Sequence, residues 1–263
     1  MTKIIAIDAG HGLNTPGKRT PDNEREWSFN NKVTLAAIKY LNDYEGVKIV
    51  RLDDPTGKSD VPLKARTDKA NKAKADVLVS IHHNALTGKW GTHGGTEVFT
   101  YLGNWPDAER LAKLVLDRIL KAYGLKSRGL KKANFHMVRE SAMPAILIEG
   151  GFMDSTVDIK KMRDDKVLDE AGKAIAEALA VYFGLKKKKP AAPSKLYRVQ
   201  IGAYSVKANA DAQAAKAKRA GYSPYIAREG GLYKVQIGAY SVKANADKMA
   251  SELKRKGFNV YIA

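Results

Sequence analysis

The sequence contains 263 residues, of which 44% are hydrophobic and 8% aromatic, enough for ordinary globular cores and too many for a largely disordered chain. It has no cysteine, which excludes disulfides, thiolate metal sites and a cysteine nucleophile, so any metal ligands must be histidines or carboxylates. The formal net charge of +18 is concentrated in residues 186–263, which hold 17 basic and four acidic residues. Such a basic segment indicates a polyanionic partner, and charge alone does not separate nucleic acid, an anionic membrane and a cell wall that bears anionic polymers.

The chain opens with a short apolar run, Lys3 to Asp8, which predicts a buried β-strand. The run is too short for the apolar core of a signal peptide and for a membrane-spanning helix. We therefore expect a protein that is synthesised in the cytoplasm without a signal peptide or a membrane span.

Short β-branched runs alternate with longer helical patterns over the first two thirds of the chain. This alternation predicts an α/β domain, residues 1–185, in which a mostly parallel, twisted sheet is covered by helices on both faces. The further predicted strands are Val47 to Leu52, Val77 to Ile81 and Ala145 to Ile148, and the predicted helices are Trp27 to Tyr44, Pro106 to Tyr123 and Val167 to Tyr182.

Residues 186–195 are basic and contain two prolines, the composition of a solvated linker, so a second domain is predicted over residues 196–263. This tail is an internal duplication with a period of 36 residues, in which VQIGAYSVKANAD occurs twice. Each copy reads strand, helix, strand, with Gly221 and Gly257 placed to end the two helices. The tail is therefore predicted to be a small α+β domain of βαββαβ order.

Polar side chains follow three of the predicted strands where each strand ends, and they include His11, His82 and Glu149. The carboxyl ends of strands in an open α/β sheet line one functional crevice, so we expect these side chains to converge. Two histidines and one glutamate, with an open fourth position, are an established set of catalytic zinc ligands. The residues therefore predict a zinc hydrolase with one Zn²⁺ in its catalytic domain.

The roles in this predicted site follow from residue type. His11 and His82 supply the nitrogen ligands. Glu26, at the start of the first long helix, supplies the carboxylate, and Glu24 is the near competitor. Glu149 is then left as the catalytic acid and base, which takes a proton from the attacking water and passes one to the leaving nitrogen.

The remaining histidines are given other roles. Strand alternation turns His83 away from His82, which favours a supporting role over metal binding. His93 lies in a glycine-rich loop, and His136 lies in a short predicted strand. Both are expected at the surface or in the core, with substrate contact as the alternative.

Four motifs carry a resemblance to a known family. The DAGHG opening, a glutamate four residues before Asn30, the S-I-H-x-N run ending at Asn84, and MPAILIEGGFM around Glu149 resemble the amidase-3 family of zinc peptidoglycan amidases. The resemblance covers roughly residues 1–184 with the motifs in the expected order. It implies that the three predicted ligands bind zinc, that Glu149 is catalytic, and that the amide between N-acetylmuramic acid and L-alanine is hydrolysed. Gly150 departs from the family, in which other small or polar residues are common there.

The tail resembles a SPOR domain, a fold that binds peptidoglycan glycan strands, and the V-Q-I-G-A-Y block in both copies carries this resemblance. Strand alternation predicts that four polar residues are free to meet glycan on the face opposite the apolar one, with a merely solvated surface as the alternative. Together the two resemblances imply a lytic amidase like those of spore-forming Gram-positive bacteria and the endolysins of their phages. The implied partners are peptidoglycan and anionic wall polymers, and the implied place of action is the cell wall, after release or lysis. The four predicted glycan-binding residues are Arg198, Gln200, Lys234 and Gln236.

Three other functions fit part of the pattern. A zinc peptidase that cuts within the stem peptide could use the same ligands, although no HExxH motif is present. A wall-binding protein with an inactive first domain should have lost one of the four site residues, and none is missing. A nucleic-acid-binding protein would suit the basic βαββαβ tail, but Asn259 and Val260 stand at key central positions of the RNA recognition motif, so no nucleic-acid partner is expected.

Overall fold

The structure is a computed structural model that describes residues 1–188 and 196–263. These two ranges belong to two separate compact units. Of the predicted linker, residues 186–195, all but the first three lysines lie outside the described residues. Those three lysines pair through backbone hydrogen bonds with residues 43–45 of the first unit.

One mixed sheet of six strands forms the centre of the first unit. The strands are β1 (Lys3–Ala9), β2 (Val47–Arg51), β3 (Val77–Asn84), β4 (Thr96–Thr100), β5 (Ser127–Lys132) and β6 (Ala145–Phe152). Their order is β2-β1-β3-β6-β4-β5. The first four in this order are parallel, β4 runs antiparallel to β6, and β5 runs parallel to β4.

Helices cover both faces of this sheet. They are α1 (Glu26–Leu41), α2 (Leu63–Lys72), α3 (Pro106–Tyr123), α4 (His136–Arg139), α5 (Asp158–Met162) and α6 (Asp165–Phe183). One core cluster joins α1, α3 and α6 to one sheet face, which includes Ile5 and Val79. A second cluster joins α2 and α4 to the other face, which includes Ala6 and Leu78. Because both faces of the parallel strands are buried, these strands read as continuous apolar runs, and the predicted α/β class is confirmed.

The structure differs from the sequence-based expectation at particular elements. The first helix ends at Leu41, three residues before the predicted end at Tyr44. Strands β4 and β5 were not predicted, so the sheet is less uniformly parallel than the alternation suggested. Strand β5 reads SRGLKK and is largely exposed, because it is an edge strand whose basic residues discourage pairing with another chain.

The tail unit is an α+β domain with the predicted βαββαβ order. Its elements are β7 (Tyr197–Tyr204), α7 (Lys207–Arg219), β8 (Tyr225–Glu229), β9 (Leu232–Tyr240), α8 (Lys243–Arg255) and β10 (Tyr261–Ile262). The four strands form an antiparallel sheet in the order β10-β7-β9-β8. Both helices pack on one face of the sheet over Val199, Ile201 and Val235. Gly221 and Gly257 follow the helices with φ of 89° and 78°, as expected for helix-ending glycines.

In the two described ranges, no helix combines the length and the apolar character that crossing a membrane requires.

Candidate metal and catalytic site

Three neighbouring parallel strands bring the predicted site residues to one edge of the sheet. His82 on β3 lies directly opposite Glu149 on β6, and His11 follows the end of β1 by two residues. Glu26 is the first residue of α1. The ligand atoms of His11, Glu26 and His82 all lie within 4.8 Å of one another. The fold therefore brings these four residues together.

One buried carboxylate faces both imidazoles. Glu26 Oε2 lies 3.3 Å from His11 Nε2, and Glu26 Oε1 lies 3.1 Å from His82 Nδ1. The Nε2 atom of His82 lies 3.2 Å from Ser80 Oγ, which can accept a hydrogen bond from an Nε2–H group and so favours the tautomer with a free lone pair on Nδ1. Two imidazole nitrogens and one carboxylate in this arrangement fit a zinc ion that keeps an open position.

Glu24, the competing carboxylate, has a different partner. Its Oε2 accepts a hydrogen bond of 2.7 Å from the Arg163 guanidinium, and its side chain is 41% exposed. Glu26 is only 1% exposed. The structure thus places Glu26, and not Glu24, against the two histidines.

The charges of the cluster follow from burial and from the short contacts. Burial lowers the pKa of His11 to about 4, so its ring is neutral at pH 7. Burial works against ionisation of Glu26, but the hydrogen bond and the charge of His82 hold the pKa of Glu26 at about 2. Burial likewise opposes protonation of His82, yet the Glu26 carboxylate raises the His82 pKa above its ordinary value. A metal and a proton compete for His82, and the raised pKa favours the proton as pH falls, so metal affinity should rise with pH.

Glu149 borders a cavity of about 200 Å³ that also touches Glu26, His82 and Asn84. Its Oε2 atom is buried and has no hydrogen-bond partner in the described part of the chain. Burial raises the pKa of Glu149 to about 8, with the charges of His82 and Glu26 acting in opposite directions. A carboxyl group that titrates near neutral pH beside the cluster is suited to accept and return a proton.

The turn after β1 has two unusual features. His11 has a φ of 67°, in the left-handed region that a non-glycine residue seldom adopts. A Cβ atom on the preceding Gly10 would overlap the ring of His82. Gly10 therefore makes room for the imidazole of His82. The backbone of His11 is strained, as is often seen at functional sites.

His83 supports the cluster from behind, as expected. Its Nδ1 lies 2.7 Å from Asn30 Oδ1, and its Nε2 lies 2.9 Å from the Tyr123 hydroxyl. Asn30 in turn donates from Nδ2 to Glu26 Oε1, at 3.2 Å, and to the Gly10 carbonyl, at 3.1 Å. The chain of hydrogen bonds from Tyr123 to Glu26 fixes the orientation of the carboxylate.

Gly150, which follows Glu149 on β6, makes room for this support. A Cβ atom there would lie 2.5 Å from the Tyr123 hydroxyl oxygen and 2.8 Å from His83 Nε2. We expect Gly150→Ala to lower the free energy of unfolding by about 1–3 kcal/mol through overpacking. Urea unfolding of the full chain with a chelator present measures this change.

A double mutant tests whether the Tyr123 hydroxyl causes the loss of stability expected for Gly150→Ala. Gly150→Ala should cost less stability in a Tyr123→Phe background than in the wild type, because the nearest clashing atom is then absent. Equal costs in the two backgrounds, or no cost in either, would contradict this account of Gly150.

Glu97 on β4 is a site neighbour that the sequence did not reveal, since β4 was not predicted. It lies directly opposite Glu149 in the sheet. Its buried carboxylate accepts hydrogen bonds from Asn84 Nδ2, at 2.9 Å, from Arg128 Nε, at 2.8 Å, and from the Lys131 ammonium. The two cations hold the pKa of Glu97 below its usual range although burial opposes this. Glu97 therefore adds a negative charge beside Glu149 and fixes Asn84.

The last two histidines do not line the cavity. His93 Nε2 lies 2.7 Å from Asp154 Oδ1, and Asp154 Oδ2 also accepts the backbone N–H groups of residues 86–88. His136 Nε2 lies 3.2 Å from Thr67 Oγ1. His93 thus helps to hold the loop that follows β3. The strand expected around His136 is wrong, because His136 is the first residue of helix α4 and contacts Thr67 on α2.

In the tail, the four residues predicted to bind glycan lie on strands β7 and β9. Gln200 pairs directly with Gln236, and the outer strands place Tyr261 opposite Gln200 and Tyr225 opposite Gln236. These four residues form a row across the strands, which we call the glycan face. It consists of Tyr261, Gln200, Gln236 and Tyr225. Its two tyrosines are each 67% exposed, and strand alternation in the central strands gave no signal for them.

One expectation for this face is wrong. Gln200 is only 6% exposed and is not free to meet a ligand, because it lies on a central strand between Gln236 and Tyr261. Arg198 is exposed, and Lys234 forms a 2.7 Å ion pair with Glu229. The two tyrosines therefore offer more accessible surface on this face than Gln200 does.

Comparison with known protein families separates the same two parts of the chain. Residues 5–181 match the model of the Amidase_3 family, described as N-acetylmuramoyl-L-alanine amidase. Residues 193–263 match the model of the SPOR domain.

Individual relatives agree with these matches. The chain is 38% identical over 227 residues to a sporulation-specific N-acetylmuramoyl-L-alanine amidase of Bacillus subtilis (strain 168), covering 86% of this chain and 84% of that protein. It is 33% identical over 195 residues to an endolysin of Bacillus phage SPP1, covering 72% and 69%. A crystal structure of an N-acetylmuramoyl-L-alanine amidase from Clostridium difficile 630 superimposes with a TM-score of 0.65 at 30% identity, covering 70% of this chain and 97% of that one. The chain therefore belongs to the Amidase_3 family of N-acetylmuramoyl-L-alanine amidases and carries a SPOR domain after its amidase domain.

Proposed function

We propose that the first unit hydrolyses the amide bond between N-acetylmuramic acid and L-alanine in peptidoglycan, that the reaction depends on zinc, and that it leads to lysis of the cell wall. The observation that carries the proposal is the buried Glu26 carboxylate facing His11 and His82, with Glu149 directly opposite His82. The names of the relatives support the identity of the bond that is hydrolysed. The donor set supports zinc, because two imidazoles and one carboxylate are a known catalytic combination.

Each site residue has a distinct task in this reaction. His11, Glu26 and His82 would hold the zinc ion, which when bound supplies a Lewis acid that polarises an amide carbonyl and acidifies water. Glu149 accepts the proton of the attacking water and then returns a proton to the amide nitrogen as the bond to the muramic acid breaks. Asn30 and His83 keep the Glu26 carboxylate in place. The Ser80 hydroxyl keeps the His82 ring in one tautomer.

The tail attaches the enzyme to its polymeric substrate in this proposal. Tyr225 and Tyr261 offer flat apolar rings to sugar units, and the amide of Gln236 offers hydrogen bonds between them. The positive charge of the tail adds attraction to anionic wall polymers. The protein would thus act at the cell wall after release or lysis.

Mass spectrometry of a peptidoglycan digest tests the proposed reaction. Purified peptidoglycan should release intact stem peptides with a free amino-terminal L-alanine, and a zinc chelator should stop their release. Restoring zinc after chelation should restore it. Stem peptides cut at an internal bond would instead indicate a peptidase, and no release with binding retained would indicate a wall-binding protein without activity.

A further inference from the structure

The tail carries a group of cations at the ends of its two helices. All six are exposed, and the ion pairs of the tail in residues 196–263 involve other lysines, namely Lys207, Lys234 and Lys243. We call this group the helix-end patch. It consists of Lys216, Lys218, Arg219, Lys254, Arg255 and Lys256.

Contacts place the two helix ends that carry these cations next to each other. The Lys216 ammonium lies 5.1 Å from the centroid of the Phe258 ring, and the rings of Tyr222 and Phe258 lie 6.3 Å apart. The Tyr222 hydroxyl donates a 2.8 Å hydrogen bond to Glu252 on α8. Tyr222 follows α7 and Phe258 follows α8, so the last turns of both helices are neighbours.

The fold itself does not require so many cations at this place. A cation in the last turn of a helix stabilises the partial negative charge of the free carbonyl groups, and one such residue per helix suffices for that. Here each helix end carries three cations. The acidic residue near them, Glu252, already accepts a hydrogen bond from Tyr222. Six cations at two adjacent helix ends leave a local excess of positive charge, which suits a polyanion.

The two surfaces of the tail differ in chemistry. The glycan face presents tyrosines and amides, groups that suit uncharged sugar rings. The helix-end patch lies at the ends of the helices that cover one side of the sheet, and its six cations form no ion pair within residues 196–263. A polymer that binds the patch therefore need not displace a glycan strand from the glycan face.

We propose that the helix-end patch binds phosphodiester-linked polymers of the cell wall. The proposal rests on the proposed function, because a hydrolase that works on peptidoglycan meets these polyanions beside its substrate. Charge complementarity between a row of phosphates and the six cations supplies the attraction. Two different surfaces that bind two components of one wall raise the overall affinity through effective concentration.

Binding to two preparations of sacculi tests this assignment. The full-length protein is sedimented with sacculi that keep their phosphodiester-linked polymers and with sacculi stripped of them by hydrofluoric acid, over a range of salt concentrations. Lys254→Gln/Arg255→Gln should bind phosphate-bearing sacculi at least ~10-fold more weakly at low salt, with a shallower salt dependence. On stripped sacculi it should bind as the wild type does.

The matched control is Lys207→Gln/Lys243→Gln, which lowers the net charge equally but at lysines already paired with Asp211 and Asp247. It should bind both kinds of sacculi like the wild type. If the control weakens binding as much as the patch variant, or if the patch variant loses equal affinity for both kinds of sacculi, the proposal is overturned. Short duplex DNA that displaces the protein at a lower phosphate concentration than isolated wall polymer would also overturn it, in favour of a nucleic-acid site.

Two further readouts keep this proposal separate from the proposed function. Tyr225→Ala/Tyr261→Ala should weaken binding to both kinds of sacculi, because it alters the glycan face alone. Release of stem peptides reports on the first unit. A wild-type protein that shows the phosphate-dependent binding but releases no L-alanine-ended peptides would refute the amidase assignment and leave the helix-end patch standing.

Discussion

Replacing Glu149 with glutamine should lower kcat/KM for peptidoglycan fragments by about 10²–10⁴-fold while zinc content stays unchanged. Glutamine has nearly the shape of glutamate but can neither accept nor return the proton. The metal-facing atoms belong to His11, Glu26 and His82, so this change leaves them in place. Kinetics on a soluble muropeptide, together with metal analysis of the same preparation, measures both effects.

A stability measurement separates loss of chemistry from damage to the fold. In the metal-free protein burial raises the pKa of Glu149 from an ordinary value of 4.5 to about 8. Between these values the folded state holds a proton that the unfolded state has lost, so this carboxyl stabilises the folded protein less as pH rises through that window. The free energy of unfolding of Glu149→Gln should therefore decline less between pH 5 and 8 than that of the wild type. If Glu149→Gln keeps full turnover, Glu149 is not the catalytic acid and base.

Replacing Glu26 with glutamine should abolish stoichiometric zinc binding and, with it, activity. The amide oxygen is a weak ligand, and the neutral side chain no longer balances the charge near His82. We expect zinc affinity to fall by more than the roughly 10–100-fold that loss of a supporting hydrogen bond costs a metal site. Competition with a zinc-binding dye measures the affinity directly.

Glu24→Gln is the matched control for this change. Glu24 lies two residues before Glu26, and its replacement removes the same charge. Its carboxylate, however, is paired with Arg163 and not with the histidines. The control should keep its zinc and its activity. If Glu24→Gln loses zinc and Glu26→Gln keeps it, the carboxylate ligand has been assigned to the wrong residue. Zinc affinity of the wild type should also weaken as pH falls, because the proton on His82 then competes with the metal.

The sequence by itself determined the features that depend on local pattern. Apolar runs in alternation with helical patterns indicated a parallel sheet covered on both faces, because strands buried on both sides must be apolar throughout. The exact repeat of VQIGAYSVKANAD indicated the duplicated tail. Strand ends followed by His11, His82 and Glu149 indicated one site, because parallel strands deliver their carboxyl ends to a common edge.

Only the tertiary structure decided which side chains meet. It separated Glu26 from Glu24, since both lie near the start of α1 and sequence spacing cannot show which carboxylate turns inward. It also revealed Glu97, because only the pairing of β4 with β6 places this residue opposite Glu149. In the tail it covered Gln200 and exposed the two tyrosines, because accessibility on a sheet depends on the neighbouring strands and not on alternation within one. Residue pattern specifies which face of an element is apolar, whereas contacts between distant segments decide which polar groups lie within bonding distance.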